Sequence, residues 1–137
     1  MSTTGPFVRA ALLADDVRTE VTGKHIIIGT YGSDIGVPQF PAGLRFRLIL
    51  VIEFGDHKKY ELKVRLLGPS GDEFAKFDAE LEVEKPRTTQ VIPTIGFAIP
   101  FSSEGSFRVE CFEEGEWKSV GIWNVAKADI PVPQLGA

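Results

Sequence analysis

The sequence predicts an all-β fold: a two-sheet antiparallel β-sandwich, immunoglobulin-like, with seven to eight strands. Three observations carry that expectation. Apolar and polar residues alternate with a period of two in segment after segment. Clusters of Gly and Pro punctuate those segments at regular spacing, and no stretch shows the 3.6-residue period of an amphipathic helix. Residues 1–128 read as one sandwich domain and residues 129–137 (DIPVPQLGA) as an extended Pro-rich tail.

The elements follow in order. Phe7 to Leu13 is apolar on both sides apart from Arg9 and reads as a buried strand. The polar run Asp15 to Glu20 leads to a turn at Thr22-Gly23-Lys24. Lys24 to Tyr31 is rich in β-branched residues and reads as a central strand. Residues 32–43, with Gly32, Gly36, Gly43, Pro38 and Pro41, form a loop or an irregular edge. Leu44 to Phe54 puts Leu44, Phe46, Leu48, Leu50, Ile52 and Phe54 on one face; the other face is polar at its ends and apolar in its middle. Tyr60, Leu62, Val64 and Leu66 point inward along the next strand, with Lys59, Glu61, Lys63 and Arg65 toward water. A turn at Gly68-Pro69-Ser70-Gly71-Asp72 returns the chain through Phe74 to Val83. Two prolines, Pro93 and Pro100, place the 91–101 strand at a sheet edge or at a bulge, because each removes a ladder donor. Phe107, Val109 and Cys111 face inward, and a hairpin turn at Glu113-Glu114-Gly115-Glu116 leads to the last strand, Trp117 to about Val125.

Composition bounds the function. With 137 residues, 43% hydrophobic and 25% charged, the chain holds a sizeable core without metal or disulfide staples. A net charge of −4 leaves no basic surplus for displacing counterions from phosphate, so no nucleic-acid partner is expected. The single Cys111 rules out an intrachain disulfide and fits a reducing, cytoplasmic compartment. The N-terminal run is a poor signal peptide, and no apolar stretch reaches the roughly 18 residues of a membrane span, so no membrane association is expected.

Residues able to carry chemistry are few. His25 and His57 fall in no ligand-spaced motif and read as strand-end and turn residues. Cys111 lies on the inward register of its strand and reads as a small inert hydrophobe. Asp15 and Asp16 could join Glu20 or Asp34 around a hard cation, but no calcium-loop spacing is present and a turn with Arg18 offsetting the charge is the simpler reading. Arg45, Arg47, Lys58, Lys59, Lys63 and Arg65 would form a basic patch if their strands were adjacent; the alternative is a solvated face paired with Glu53 and Glu61. No catalytic constellation, metal site or cofactor motif emerges. Surplus apolar residues on nominally outer positions say more. Ile49, Val51, Ile92, Ala98, Phe112, Val120 and Ile122 all oppose the core register, and Ile49, Val51, Phe112, Val120 and Ile122 are the candidate partner surface. Trp117 and Trp123 fall on one side of their strand.

Ala14-Asp15-Asp16-Val17-Arg18-Thr19-Glu20-Val21-Thr22-Gly23-Lys24, followed by Ile26-Ile27-Ile28-Gly29-Thr30-Tyr31-Gly32, resembles the opening of an uncharacterised family of small bacterial proteins, a domain of unknown function. Gly105 to Val109 followed by Glu114-Gly115-Glu116 is similar to its closing hairpin. The resemblance implies a β-sandwich in a bacterial, cytoplasmic protein and transfers no functional residue. Within the charged run, Asp15, Asp16 and Arg18 suggest a structural corner: an Asp accepting backbone N–H bonds and Arg18 pairing across the sheet.

The expected function is a non-catalytic binding or assembly module that self-associates or docks a protein partner through a sheet face or edge. The alternative is small-molecule or carbohydrate binding at the loop end around Tyr31, Asp34 and Phe40.

Overall fold

β-branched and aromatic residues at alternate positions form nine strands in the computed structural model, which describes residues 5–128. They are β1 (Phe7–Thr19), β2 (His25–Thr30), β3 (Asp34–Val37), β4 (Ala42–Glu53), β5 (Lys59–Leu67), β6 (Glu73–Glu82), β7 (Thr89–Phe101), β8 (Gly105–Glu113) and β9 (Glu116–Lys127). The first sheet has the order β2-β1-β4-β7 and the second β3-β9-β8-β5-β6. In the immunoglobulin plan, β1, β4 and β7 stand in the places of strands A, B and E, and β9, β8, β5 and β6 in those of G, F, C and C′. The expected sandwich is therefore present. The tail expected over 129–137 lies outside the described residues.

Among the described residues the strand count is nine rather than seven to eight, and both additions fall between the first and second immunoglobulin strands. β2 is an edge strand, not the central one its composition suggested: it pairs only with β1 among the described residues. β3, from the irregular 32–43 segment, runs parallel to β9, so the second sheet is mixed rather than wholly antiparallel. β7 lies at the opposite edge of the first sheet and also carries a bulge against β4, so both alternatives offered by its two prolines hold.

The inward faces meet as the alternation requires. Leu44, Phe46, Leu48, Leu50, Ile52 and Phe54 lie buried opposite Tyr60, Leu62, Val64 and Leu66. Phe107 has no exposed surface and lies within 6 Å, centroid to centroid, of Phe46 (5.9 Å), Phe101 (5.5 Å) and Trp123 (5.5 Å). Burying a side chain of that size stabilises the fold by about 2–3 kcal/mol.

Two bulges reset which side chains face in. In β9 the register moves from Glu110↔Ser119 to Val109↔Gly121, leaving Val120 as the extra residue. Trp123 therefore enters the core, its ring lying where a Cβ at Gly121 would stand, whereas Trp117 remains on the outer face. In β7 a bulge between the Ile49↔Pro93 and Arg47↔Gly96 pairs is pinned by Arg47, which donates from Nε (3.1 Å) and Nη2 (2.9 Å) to the Thr94 carbonyl. The Thr94 hydroxyl donates to the Leu48 carbonyl at 2.8 Å. Upstream of this bulge Ile92 packs on the core; downstream Phe97, Ile99 and Phe101 do so.

Candidate functional site

The outer face of the second sheet is a network of charged and aromatic groups that satisfy one another. Glu110, only 8% exposed, accepts from Arg65 Nε at 2.8 Å, and its other oxygen lies 3.5 Å from Arg108 Nε. The Arg65 guanidinium is held over the Trp117 ring at 4.3 Å, and Lys76 approaches the same ring at 5.7 Å. Phe112 meets Trp117 edge to face at 5.4 Å and carries Lys63 over its own ring at 5.6 Å. Cross-strand geometry explains the cluster: Arg65 is opposite Glu110 and Phe112 opposite Trp117 on adjacent strands.

The outer face of the first sheet is apolar through its middle. Leu12, Ile49 and Pro93 form one cross-strand row, and Ala10, Val51 and Val91 the next. Toward the β2 edge, Ile28 pairs with Asp16 and Ile26 with Arg18. Ile26 (44%), Ile28 (40%) and Val91 (40%) are exposed, and Val21 projects fully from the tip of the β1–β2 hairpin. Three of the six exposed large hydrophobic residues thus lie on that hairpin among the described residues.

The four sheet edges are protected unequally. β7 carries Pro93 and Pro100; β6 alternates Lys76, Asp78, Glu80 and Glu82 outward; β3 is four residues long. Each is a recognised way to discourage strand addition. β2, HIIIGT, has no Pro, Lys, Arg, Asp or Glu. That absence was the sequence signal for this edge, but an uncharged β-branched run is equally what a central strand needs.

The predicted site residues divide. Phe112 (38%) and Ile122 (57%) are exposed on the second sheet, and Val51 is half-buried on the first. Ile49 has no exposed surface, flanked on its ladder by Leu12 and Pro93, so it cannot contact a partner in this conformation. Val120 and Ile92, expected to point out, pack on the core because the two bulges invert their parity. Of the expected structural corner one part is present and one is not, and Asp15, Asp16 and Arg18 lie inside β1 rather than between two strands. Asp16 accepts the N–H of adjacent Val17 at 2.8 Å, and Arg18 pairs with Asp16 of its own strand at 3.4 Å rather than across the sheet.

The basic patch is likewise divided. Arg45 and Arg47 belong to β4 in the first sheet, and Lys59, Lys63 and Arg65 to β5 in the second, so consecutive strands carry them to different layers. His25 Nδ1 lies 3.1 Å from the Thr19 hydroxyl; the backbone N–H of His57 donates to the Tyr60 hydroxyl at 2.9 Å. Burial, and then the charge of Glu113, push the Cys111 thiol up to about 12.

An open groove of about 630 Å³ is lined by Asp15, Tyr31, Arg45 and Pro100, among others. Burial first, then a hydrogen bond to Asp15 and that carboxylate's charge, raise the Tyr31 phenol above its ordinary range. Asp15 reaches this position because Gly29 opposite it has no Cβ; the carboxylate occupies the space one would need. Of the loop-end trio, only Tyr31 lines the groove. Asp34 is exposed in β3 opposite Asn124, and Phe40 packs on the core. Among the described residues, no three His, Cys, Asp or Glu side chains converge to hold a metal ion, and no helix is long and apolar enough to cross a membrane.

These features define an immunoglobulin-like β-sandwich with one added strand at an edge of each sheet. The chain belongs to a family of unknown function, DUF6941, whose family model matches residues 9–121, from β1 into β9. No curated protein matches the chain.

Proposed function

We propose that this chain is a non-catalytic binding or assembly module that docks a protein, or another copy of itself, through the outer face of the first sheet and its β2 edge. The supporting observation is the concentration of exposed Val21, Ile26 and Ile28 on one hairpin whose outer strand is unguarded. Apolar side chains gathered at an open strand edge favour strand addition, in which main-chain hydrogen bonds supply affinity and alternate side chains supply selectivity. The same reading assigns the chain to a bacterial cytoplasm, in keeping with its lone, buried thiol. Small-molecule or carbohydrate binding at the loop end is the weaker proposal, because the groove gathers Tyr31 without Asp34 or Phe40.

A photo-crosslinking residue placed at Val21 or Ile28 tests the docking reading in cells. Covalent protein adducts are expected from these positions and not from Asp78 on β6. Adducts at none of the first-sheet positions would overturn it.

A further inference from the structure

We propose that β2 pairs antiparallel with β2 of a second copy across a two-fold axis at Ile27, merging two first sheets into one continuous sheet. The inference rests on the docking reading above and names its occupant.

The backbone sets the register. Glu20 N–H donates to the Lys24 carbonyl at 2.7 Å, closing the first bonded pair of the β1–β2 hairpin. Bonded and non-bonded pairs alternate along an antiparallel ladder, so the Arg18–Ile26 and Asp16–Ile28 pairs face each other's backbone groups. His25 and Ile27 are left with N–H and C=O directed away from β1, at the sheet edge, whereas Gly29, with φ 69°, departs from the extended conformation. A two-fold axis at Ile27 sets Ile27 against its own copy in bonding register, and the strand departs from extended geometry only beyond Ile28. An axis at Ile26 would instead push Lys24 against Ile28 of the second copy, and an axis at Ile28 would leave Lys24 and His25 unpaired.

The side chains agree with that register. On the outer face Ile26 meets Ile28 of the second copy, and symmetry repeats the contact. Because Asp16 flanks Ile28 and Arg18 flanks Ile26, each row across the junction runs Asp16, Ile28, Ile26, Arg18, with opposite charges at its two ends. No like charges are opposed. The prolines of β7, the charges of β6 and the brevity of β3 deny the other edges an equivalent pairing. One short strand per copy is a small contact beside the roughly 1,000 Å² of a stable interface, so the pairing is expected to be weak and to depend on concentration.

Light scattering over a wide span of concentration, about 1 to 500 µM, tests the pairing. Dimer formation is expected, and Ile28→Lys should raise the dissociation constant at least about tenfold, since it sets two ammonium groups beside Ile26 and Arg18 of the opposing copy. Val91→Lys, at the far side of the same face, should leave it unchanged. Circular dichroism checks that Ile28→Lys folds. Independently of any variant, amide exchange at Ile27 in the native chain should slow as concentration rises. A monomer at every concentration, or a dimer in which Ile27 exchange ignores concentration, would overturn the pairing. So would a dimer broken by Val91→Lys and untouched by Ile28→Lys. Crosslinks from position 28 to a different protein, in a chain that stays monomeric, would sink the self-pairing and leave the docking reading standing.

Discussion

The two outer faces of this sandwich are made from similar strands and solve solvent exposure in opposite ways. On the second sheet each large apolar ring is capped by a cation: Arg65 and Lys76 on Trp117, Lys63 on Phe112. On the first sheet the isoleucines of β2 have only Asp16 and Arg18 beside them, and those two pair with each other along β1. Apart from Ile122, which stays exposed, the apolar surface of the second sheet is covered from within its own face and is a finished surface. One flanked by charges that look elsewhere is available.

The contrast can be broken, starting with the largest effect. Ile49→Ala hollows the fully buried centre of the first sheet's outer face and should lower unfolding free energy by about 3 kcal/mol in urea titration. An effect below about 1 kcal/mol would mean that this face is not packed as described. Glu110→Ala should cost about 2 kcal/mol by the same measurement. It leaves Arg65, whose side chain is 26% exposed, without its carboxylate partner. Glu53→Ala removes an equally short ion pair from the first sheet, with Arg9 at 2.7 Å, but both partners are about half exposed (57% and 47%). It should change stability by no more than about 0.5 kcal/mol. Between the faces, Cys111 should be silent through neutral pH. Its thiol, at about 12 when folded against an ordinary 9.0, supplies stability fully present below pH 9 and lost as the pH rises toward 12. Alkylation of the folded chain at pH 8 should therefore be negligible, and full alkylation there would contradict the burial.

Much of this architecture was legible in the sequence because alternation is a local property. The inward residues of β4, β5 and β8 could be read from two-residue periodicity alone, and the two prolines of β7 announced both its edge position and its bulge. Three things were not local. A bulge adds one residue and inverts everything beyond it, so alternation alone points Ile92 and Val120 outward, whereas both pack on the core. Membership of a sheet depends on partners far along the chain, so Arg45 and Lys59, close in sequence, could not be assigned to different layers. Whether an uncharged β-branched strand is central or at an edge depends on what lies beside it. HIIIGT fits either description, and the candidate docking edge was hidden for that reason.

The bulge at Val120 has a practical corollary, because it parts the molecule's two indoles. Trp123 is stacked on Phe107 behind the second sheet, while Trp117 stands half-open on that sheet's far side. A water-borne quencher such as acrylamide will dim one emitter and spare the other. A partner seated on the second sheet would shield Trp117, whereas one engaged at the hairpin would leave both signals as they were. The unlabelled chain therefore reports by its own fluorescence which of its sides is occupied.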